Sequence, residues 1–481
     1  MSELNETTTS NTSPASDPEV RQMGEDSLQP DVDSKLEGSY LWEKLPQEVI
    51  YNIFDYLKQS DLLRLATVCK YWRDSIHTTA QFWRCMRLNL SCDKKSAHSK
   101  KSCWYATQLG SHFRELSISC HHHHKSKDCK NMAFDFRRLL LCLCHSNLTS
   151  LKITDLRLDS ALISTVAVIR QVMTRMLSSY HRLHCFQMSS AQWPLHEGIK
   201  VIDTVLTVSR GTLQSLVIDG FFEATSLAQR PAEFERVTNG ILSLNRLTKL
   251  GIDYQLLTDS FVTALSRSHT GQLKVLKISA GQADAAVSKI PGSVWSTLIE
   301  ACPALKIAFV IDDLSSYVTI VDMLDHVLPI YKIRFLLNST PARFESDCMC
   351  TLVVLALVMT YYRQTLVKFE MDVGVKFYGI DIAFLMFVAK CQNLLYVKAS
   401  SSFTDPETEM TAQIVLQERR RQRDLRMSQD TANKRAKRSP HDGAGSSPAN
   451  DTATVARTVN VIKMEAESSD QTDGLSLTNE P

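Results

Sequence analysis

The densest group of potential ligands in this 481-residue sequence is the run CHHHHKSKDC, from Cys120 to Cys129. Zinc asks for four donors converging tetrahedrally, and adjacent histidines on one strand or loop point in different directions, so the run reads as a solvated loop and no metal site is expected. The 13 cysteines form no C-x-x-C pairs. The closest, Cys142/Cys144 and Cys348/Cys350, read as small core residues of a reducing compartment. No G-x-S-x-G, H-E-x-x-H or G-x-x-x-x-G-K-[ST] occurs, nor a glycine-rich loop after a strand, so no catalytic residues, cofactor or enzyme activity are expected of this chain.

What remains is charge. Arg419, Arg420, Arg421, Arg423 and Arg426 are followed by Lys434, Arg435, Lys437 and Arg438, the form of a nuclear-localisation signal, bipartite in layout, that an import carrier (importin) reads on extended chain. No aromatic residues interleave these charges to stack bases, which argues against nucleic acid as the partner. Ile462-Lys463-Met464-Glu465 fits the hydrophobic-Lys-x-Glu pattern and resembles a SUMO acceptor at Lys463. Ser13, Ser439 and Ser447 each precede proline and are candidate phosphorylation sites, where added charge beside KRAKR would weaken import.

The elements that carry these groups follow from composition and period. With 54 Lys+Arg against 52 Asp+Glu, a net charge of +2 and 44% hydrophobic residues, the chain suits a soluble fold with no global attraction to polyanions. The first residues lack the basic and apolar regions of a secretory signal, so an intracellular location, nucleus and cytoplasm, is expected. Leu352 to Met359 is too short an apolar stretch to span a bilayer and reads as a buried helix, so no membrane partner is expected. Residues 1–39 and 439–481 read as disordered tails, and 403–438 as a charged helix leading into the basic segment, with flexibility setting in from 428.

Two textures divide the body between. In LWEKLPQEVIYNIFDYLKQSDLLRLATVCKYWRDSI, Val49, Ile50, Ile53, Phe54, Leu57, Leu62, Leu63, Leu65 and Val68 recur at helical intervals, with Pro46 suited to a helix start and Ser60-Asp61 to the cap of the next helix. Beyond it, a unit of the form L-x-x-L-x-I recurs ten times, starting at Phe113, Leu148, Leu183, Leu213, Leu247, Leu273, Leu305, Ile330, Leu366 and Leu394, at spacings of 25 to 36 residues. Helical patterns such as FDFRRLLLCLCHS, IKVIDTVLTVSRG, DSFVTALSRS, SVWSTLIEAC and IDIAFLMFVAKC fill the intervals. A strand-loop-helix repeat cannot bury its apolar face alone, so stacked copies with parallel strands on a concave side and helices on a convex side are predicted. Lys152, Lys249, Lys274 and Lys277, between the repeat leucines, are candidate positions on the strand face, suited to an acidic or phosphorylated segment.

The helical texture resembles the F-box family. The residues that carry the likeness are Leu45-Pro46, Glu48, IFDYL at 53–57, DLLRLATVCKYWR at 61–73 and FWRCMRLNL at 82–90, with Trp42 where F-box proteins bearing leucine-rich repeats have a tryptophan. LTDSFVTALS at 257–266 and EACPALKI at 300–307 are similar to the leucine-rich repeats of that family, although several repeats are longer and most lack the Cys or Asn after the strand. The resemblance implies an α/β protein: a three-helix F-box at 40–90, then a leucine-rich-repeat horseshoe at 91–402. It implies docking on the Skp1 adaptor, and through Skp1 on a cullin, with the repeats holding a protein substrate for ubiquitination. A repeat scaffold with no ubiquitination role is the alternative. Trp42, Leu45, Pro46, Val49 and Leu57 are the residues expected at the Skp1 interface, and Phe54, Val68 and Trp72 those expected in the F-box core.

Overall fold

The computed structural model describes residues 45–92, 97–121, 129–157, 163–223, 231–281, 289–314, 316–338, 341–374, 378–400 and 403–437. Four short helices come first: α1 (Gln47–Asp55), α2 (Gln59–Leu65), α3 (Lys70–Thr78) and α4 (Ala80–Trp83). Strands and helices then alternate: β1 (Cys85–Ser91), α5 (Ala97–Leu109), β2 (Glu115–His121), α6 (Cys129–Leu143), β3 (Ser150–Thr154), α7 (Ile163–Ser178), β4 (Cys185–Ser189), α8 (Leu195–Val208) and β5 (Ser215–Val217). The series continues with α9 (Pro231–Leu242), β6 (Lys249–Asp253), α10 (Asp259–Ser268), β7 (Val275–Gly281), α11 (Gly292–Ala301), β8 (Lys306–Asp312) and α12 (Tyr317–Met323). It ends with β9 (Ile330–Leu337), α13 (Phe344–Tyr361), β10 (Lys368–Val373), α14 (Tyr378–Lys390), β11 (Tyr396–Ser400) and α15 (Pro406–Lys437).

The chain forms two compact units. One comprises residues up to Leu314 with Asp322–Pro329, the other Ser315–Val321 with residues from Ile330 onward. Within the first, β1 to β8 pair in sequence order, every ladder parallel. Within the second, β9, β10 and β11 do the same. This is an α/β solenoid-like arrangement: a parallel strand in each repeat, followed by a helix.

One backbone device recurs at the start of strands β2 to β7. A single carbonyl accepts from two consecutive amides of the next repeat: Arg84 O from Arg114 N and Glu115 N, Arg114 O from Thr149 N and Ser150 N, Thr149 O from His184 N and Cys185 N, His184 O from Gln214 N and Ser215 N. The pattern fixes register before the side chains are counted. Alternation then sends every second residue inward: Leu116 and Ile118, Leu151 and Ile153, Phe186 and Met188, Leu250 and Ile252 are at most 1% exposed. Burying each such side chain contributes roughly 1.5–3 kcal/mol relative to leaving it in water.

All ten recurring units fall on strands, β2 to β11, and β1 is one the repeat pattern missed. Its sequence, CMRLNLS, lies in the stretch assigned to the helical unit, yet its full length pairs with β2. The sheet therefore begins inside 40–90, its first strand starting at Cys85. One correction concerns α2, which begins at Gln59 with Lys58 as N-cap and no side-chain cap hydrogen bond. Ser60 and Asp61 lie within its first turn, where Asp61 favours the positive end of the helix dipole and pairs with Arg64 at 3.5 Å. Downstream, LTDSFVTALS does start a helix as read, with Thr258 Oγ1 accepting from Phe261 N at 3.2 Å.

The apolar helix α13 is the one helix among the described residues that is long and apolar enough to cross a membrane, by length and composition alone. Cys350, Val354, Leu355 and Val358 are buried, whereas Met349 and Tyr361 are 50% and 44% exposed, so the helix expected to be buried is buried along one face only. Its Asp347 is fully buried and lies 3.5 Å from Arg343.

The last helix departs most from expectation. Asp381 at the start of α14 accepts from Thr404 N (3.3 Å), Asp405 N (3.2 Å) and Thr408 Oγ1 (3.1 Å), and from Thr404 Oγ1. Burial raises its pKa, but these donors outweigh burial and hold the carboxyl below its ordinary value. So anchored, α15 continues to Lys437, and flexibility does not set in at 428. No Pro or Gly interrupts residues 407–437, and the stretch is rich in Arg, Gln, Glu, Ala and Met, all good helix formers. Lys434, Arg435 and Lys437 are therefore helical rather than extended; Arg438 lies outside the described residues.

Candidate functional site

The amino-terminal helices supply both a core and a surface. Pro46 takes the extended conformation that starts α1 (φ −53°, ψ 139°), and its carbonyl accepts from Val49 N and Ile50 N. Across the chain, Cys69 Sγ caps α3 by accepting from Trp72 N at 3.4 Å. Ile50, Phe54, Leu62, Ala66 and Ile76 are buried. Phe54 meets Trp72 edge-on with ring centroids 5.6 Å apart, and Phe82 at 6.1 Å, a geometry worth about 0.5–1.5 kcal/mol beyond area. Trp83 is fully buried and donates from Nε1 to the Ile76 carbonyl at 2.7 Å. Since Trp83 immediately precedes Arg84, whose carbonyl receives the amides of Arg114 and of Glu115, the first residue of β2, this core is continuous with the first strands.

On the other side of α1, Val49 (41%), Ile53 (42%) and Tyr56 (91%) are exposed. Their spacing of i, i+4 and i+7 places them in one stripe, a step around the helix from buried Ile50 and Phe54. Leu45 and Leu57 are half-buried and Pro46 is exposed. Of the residues expected at the interface, Pro46 and Val49 are thus solvent-facing, Leu45 and Leu57 partly so, and Trp42 lies outside the described residues. The sequence reading did not assign Ile53 and Tyr56 to this surface, although their spacing from Val49 was the available signal.

Val68 is corrected: assigned to the core, it is 63% exposed. α2 ends at Leu65, and Val68 sits in the turn that follows, so the helical period that would have turned it inward no longer applies. An apolar stripe on α1 with another exposed valine beyond α2 is more than scattered surface hydrophobicity, and such surface is what a protein partner covers.

On the strand face, Lys152 in β3 and Lys277 in β7 point away from the core between inward-facing neighbours, and Lys249 does so at the first position of β6. Lys274 precedes β7 and belongs to no strand, which removes it from that group. Lys277 Nζ reaches the buried carboxylate of Asp219 at 2.6 Å, and Asp219 also accepts from Ser189 Oγ at 3.2 Å. Gly251, between Val217 and Lys277 in register, has no room for a side chain: a Cβ there would lie 2.7 Å from Val217 Cγ1.

No group of three or more His, Cys, Asp or Glu that could hold a metal occurs among the described residues; His122, His123 and His124 lie outside them, as do Lys463, Ser13, Ser439 and Ser447. The cysteines that shift do so upward, chiefly through burial, Cys103 and Cys350 to about 11 and Cys391 to about 12. These thiols stay protonated at neutral pH and are poor nucleophiles.

Residues 42–89 match the F-box-like family model. The match spans the four helices and most of β1, so it covers both the packed core and the exposed stripe of α1. F-box domains are in general non-catalytic adaptors that bind Skp1 in complexes of the Skp1–cullin–F-box kind. The chain therefore carries, over residues 42–89, a domain similar to the F-box-like family.

Proposed function

We propose that this protein is the substrate-receptor subunit of a Skp1–cullin–F-box ubiquitin ligase. The F-box-like domain docks on Skp1, and through Skp1 on a cullin, while the strand-and-helix repeats hold a protein substrate. The observation that supports this reading best is the stripe of Val49, Ile53 and Tyr56, apolar and exposed along a helix that buries Ile50 and Phe54 on the adjoining face. The chain contributes by positioning: a substrate lysine held near a charged conjugating enzyme reacts at a high effective concentration without chemistry from the receptor.

The test is affinity purification of the full chain beside its Leu45→Ala/Pro46→Ala variant, with mass spectrometry of what is retained. Skp1 and cullin should be present on the wild type and lost on the variant, while partners of the repeats persist. Absence of both from the wild type removes the ligase reading, and Skp1 without cullin favours a scaffold.

The basic end of α15 supports a nuclear as well as cytoplasmic location, with an importin reading Lys434, Arg435, Lys437 and Arg438. Because the segment is helical up to Lys437, the carrier must bind it as a helix or unwind the last turn. Replacing these four residues by Ala should move a fluorescent fusion out of the nucleus; an unchanged distribution would remove the assignment.

A further inference from the structure

The ladder register of the first unit sorts its outward side chains into rows that run across the strands. One row reads Arg87, Ser117, Lys152, Gln187, Val217, Gly251, Lys277 and Ala308. The row two residues earlier reads Cys85, Glu115, Ser150, Cys185, Ser215, Lys249, Val275 and Lys306. Together they present Arg87, Lys152, Lys249, Lys277 and Lys306 against the one carboxylate of Glu115. The other carboxylates nearby are engaged: Asp219 by Lys277 and Ser189, and Asp253 Oδ1 by Gly220 N at 2.6 Å. Lys152 and Lys249 have no ion pair among the described residues.

The floor between these cations is low. Of the short residues between them, Val217, Gly251 and Ala308 are buried, whereas Ser117, Ser150, Cys185, Gln187 and Ser215 are part-exposed, so a bound chain meets serine hydroxyls and the Gln187 amide as donors and acceptors beside the cations. No aromatic ring stands in either row to stack a base, which disfavours nucleic acid here. The charges also crowd one another. Lys249 keeps solvent access, but desolvation of its ammonium, together with the like charges of Lys152 and Lys277, holds its pKa below the ordinary lysine value against the pull of Cys185 and Asp219. A bound anion would relieve that repulsion.

We infer that the outward strand face of β3 to β7 binds an extended protein segment bearing anionic side chains, with Lys152 and Lys249 as its principal contacts. The inference rests on the reading of the repeats as a substrate-holding surface and names the chemistry of what they hold. Adjacent strands lie about 4.8 Å apart, so the path from β3 to β7 is roughly 19 Å, which an extended segment of about six residues covers. The anions are carboxylates of clustered Asp and Glu or phosphates on Ser and Thr. Both sources meet the same ammonium groups by charge-assisted hydrogen bonds.

The test uses the full chain and three fluorescent ten-residue peptides: one Glu-rich, one with two phosphoserines in a Ser/Gly background, and one with Ser and Gln at those anionic positions. Anisotropy titrations should show binding of at least one anionic peptide, weakening with salt, and at least about tenfold weaker binding of the neutral one. Which anionic peptide binds more tightly identifies the source of the charge. Lys152→Ala/Lys249→Ala should lower that affinity by about tenfold or more, with melting and Skp1 capture unchanged. Lys152→Arg/Lys249→Arg should retain it, and Lys274→Ala, outside the rows, should not alter it. The inference is overturned if no anionic peptide binds, if the neutral peptide binds equally, if the double alanine variant binds as wild type, or if a single-stranded RNA oligonucleotide is preferred. Retained Skp1 capture in such a case leaves the ligase reading standing, so the two fail separately.

Discussion

Val49→Asp/Ile53→Asp should abolish Skp1 capture, weakening it at least about a hundredfold, while the protein still melts at the wild-type temperature. Both side chains are more than 40% exposed, so the substitution places charge in water in the free chain and costs the fold little. In a complex the same charges would be buried against an apolar partner without compensation, a penalty of several kcal/mol, and every 1.4 kcal/mol is a factor of ten in affinity. The measurement is titration of purified Skp1 against the full chain, with thermal melting in parallel. Equal capture by the variant would mean that the stripe of α1 is not the adaptor surface. Tyr56→Ala should act in the same direction with a smaller effect, since it removes contact area without introducing charge.

Trp83→Ala is expected to have the largest effect on stability. Trp83 is fully buried and its indole donates to the Ile76 carbonyl. Truncating a buried aromatic to alanine costs about 3–5 kcal/mol, and here the cavity would open where the helices meet the first strand. Urea unfolding of the full chain should show that loss in the transition of the amino-terminal unit. Trp83→Phe, which keeps most of the volume and loses the hydrogen bond, should cost about 1 kcal/mol from that bond. A wild-type midpoint for Trp83→Ala would show that the helices and the sheet are not one cooperative block.

The contrast between these residues shows what the sequence could reveal. The leucines and isoleucines of the repeats were legible because a period of two and a recurring unit leave few other ways to bury them, and ten strands emerged from that alone. β1 was missed because it lacks a preceding copy and shares residues with the F-box pattern, so its alternation in CMRLNLS was absorbed by the motif. Phe54 and Val68 looked alike as apolar residues at helical intervals. Only the early end of α2 separates them, and helix ends are set by local hydrogen bonding that a hydrophobic period does not encode. The basic end of α15 was misread for a related reason: charge suggested an exposed tail, whereas Asp381, far away in sequence, secures the turn from which the helix grows. The rows of lysines were visible as residue types, but which of them share a face depends on register, which excluded Lys274 and added Arg87 and Lys306.

The carbonyl that receives two amides from the next repeat has a consequence for how the protein is made. In the first unit each strand bonds its sequence neighbours, so its contacts are of low contact order, and little loop entropy must be lost before each is gained. Domains fold as units while the chain emerges at about 5–20 residues per second. Arg84 presents its carbonyl only a few seconds before Arg114 and Glu115 arrive to bond it, and each later repeat finds its template already laid down. Within the first unit the expected order of assembly is therefore the order of synthesis, from the amino-terminal helices onward.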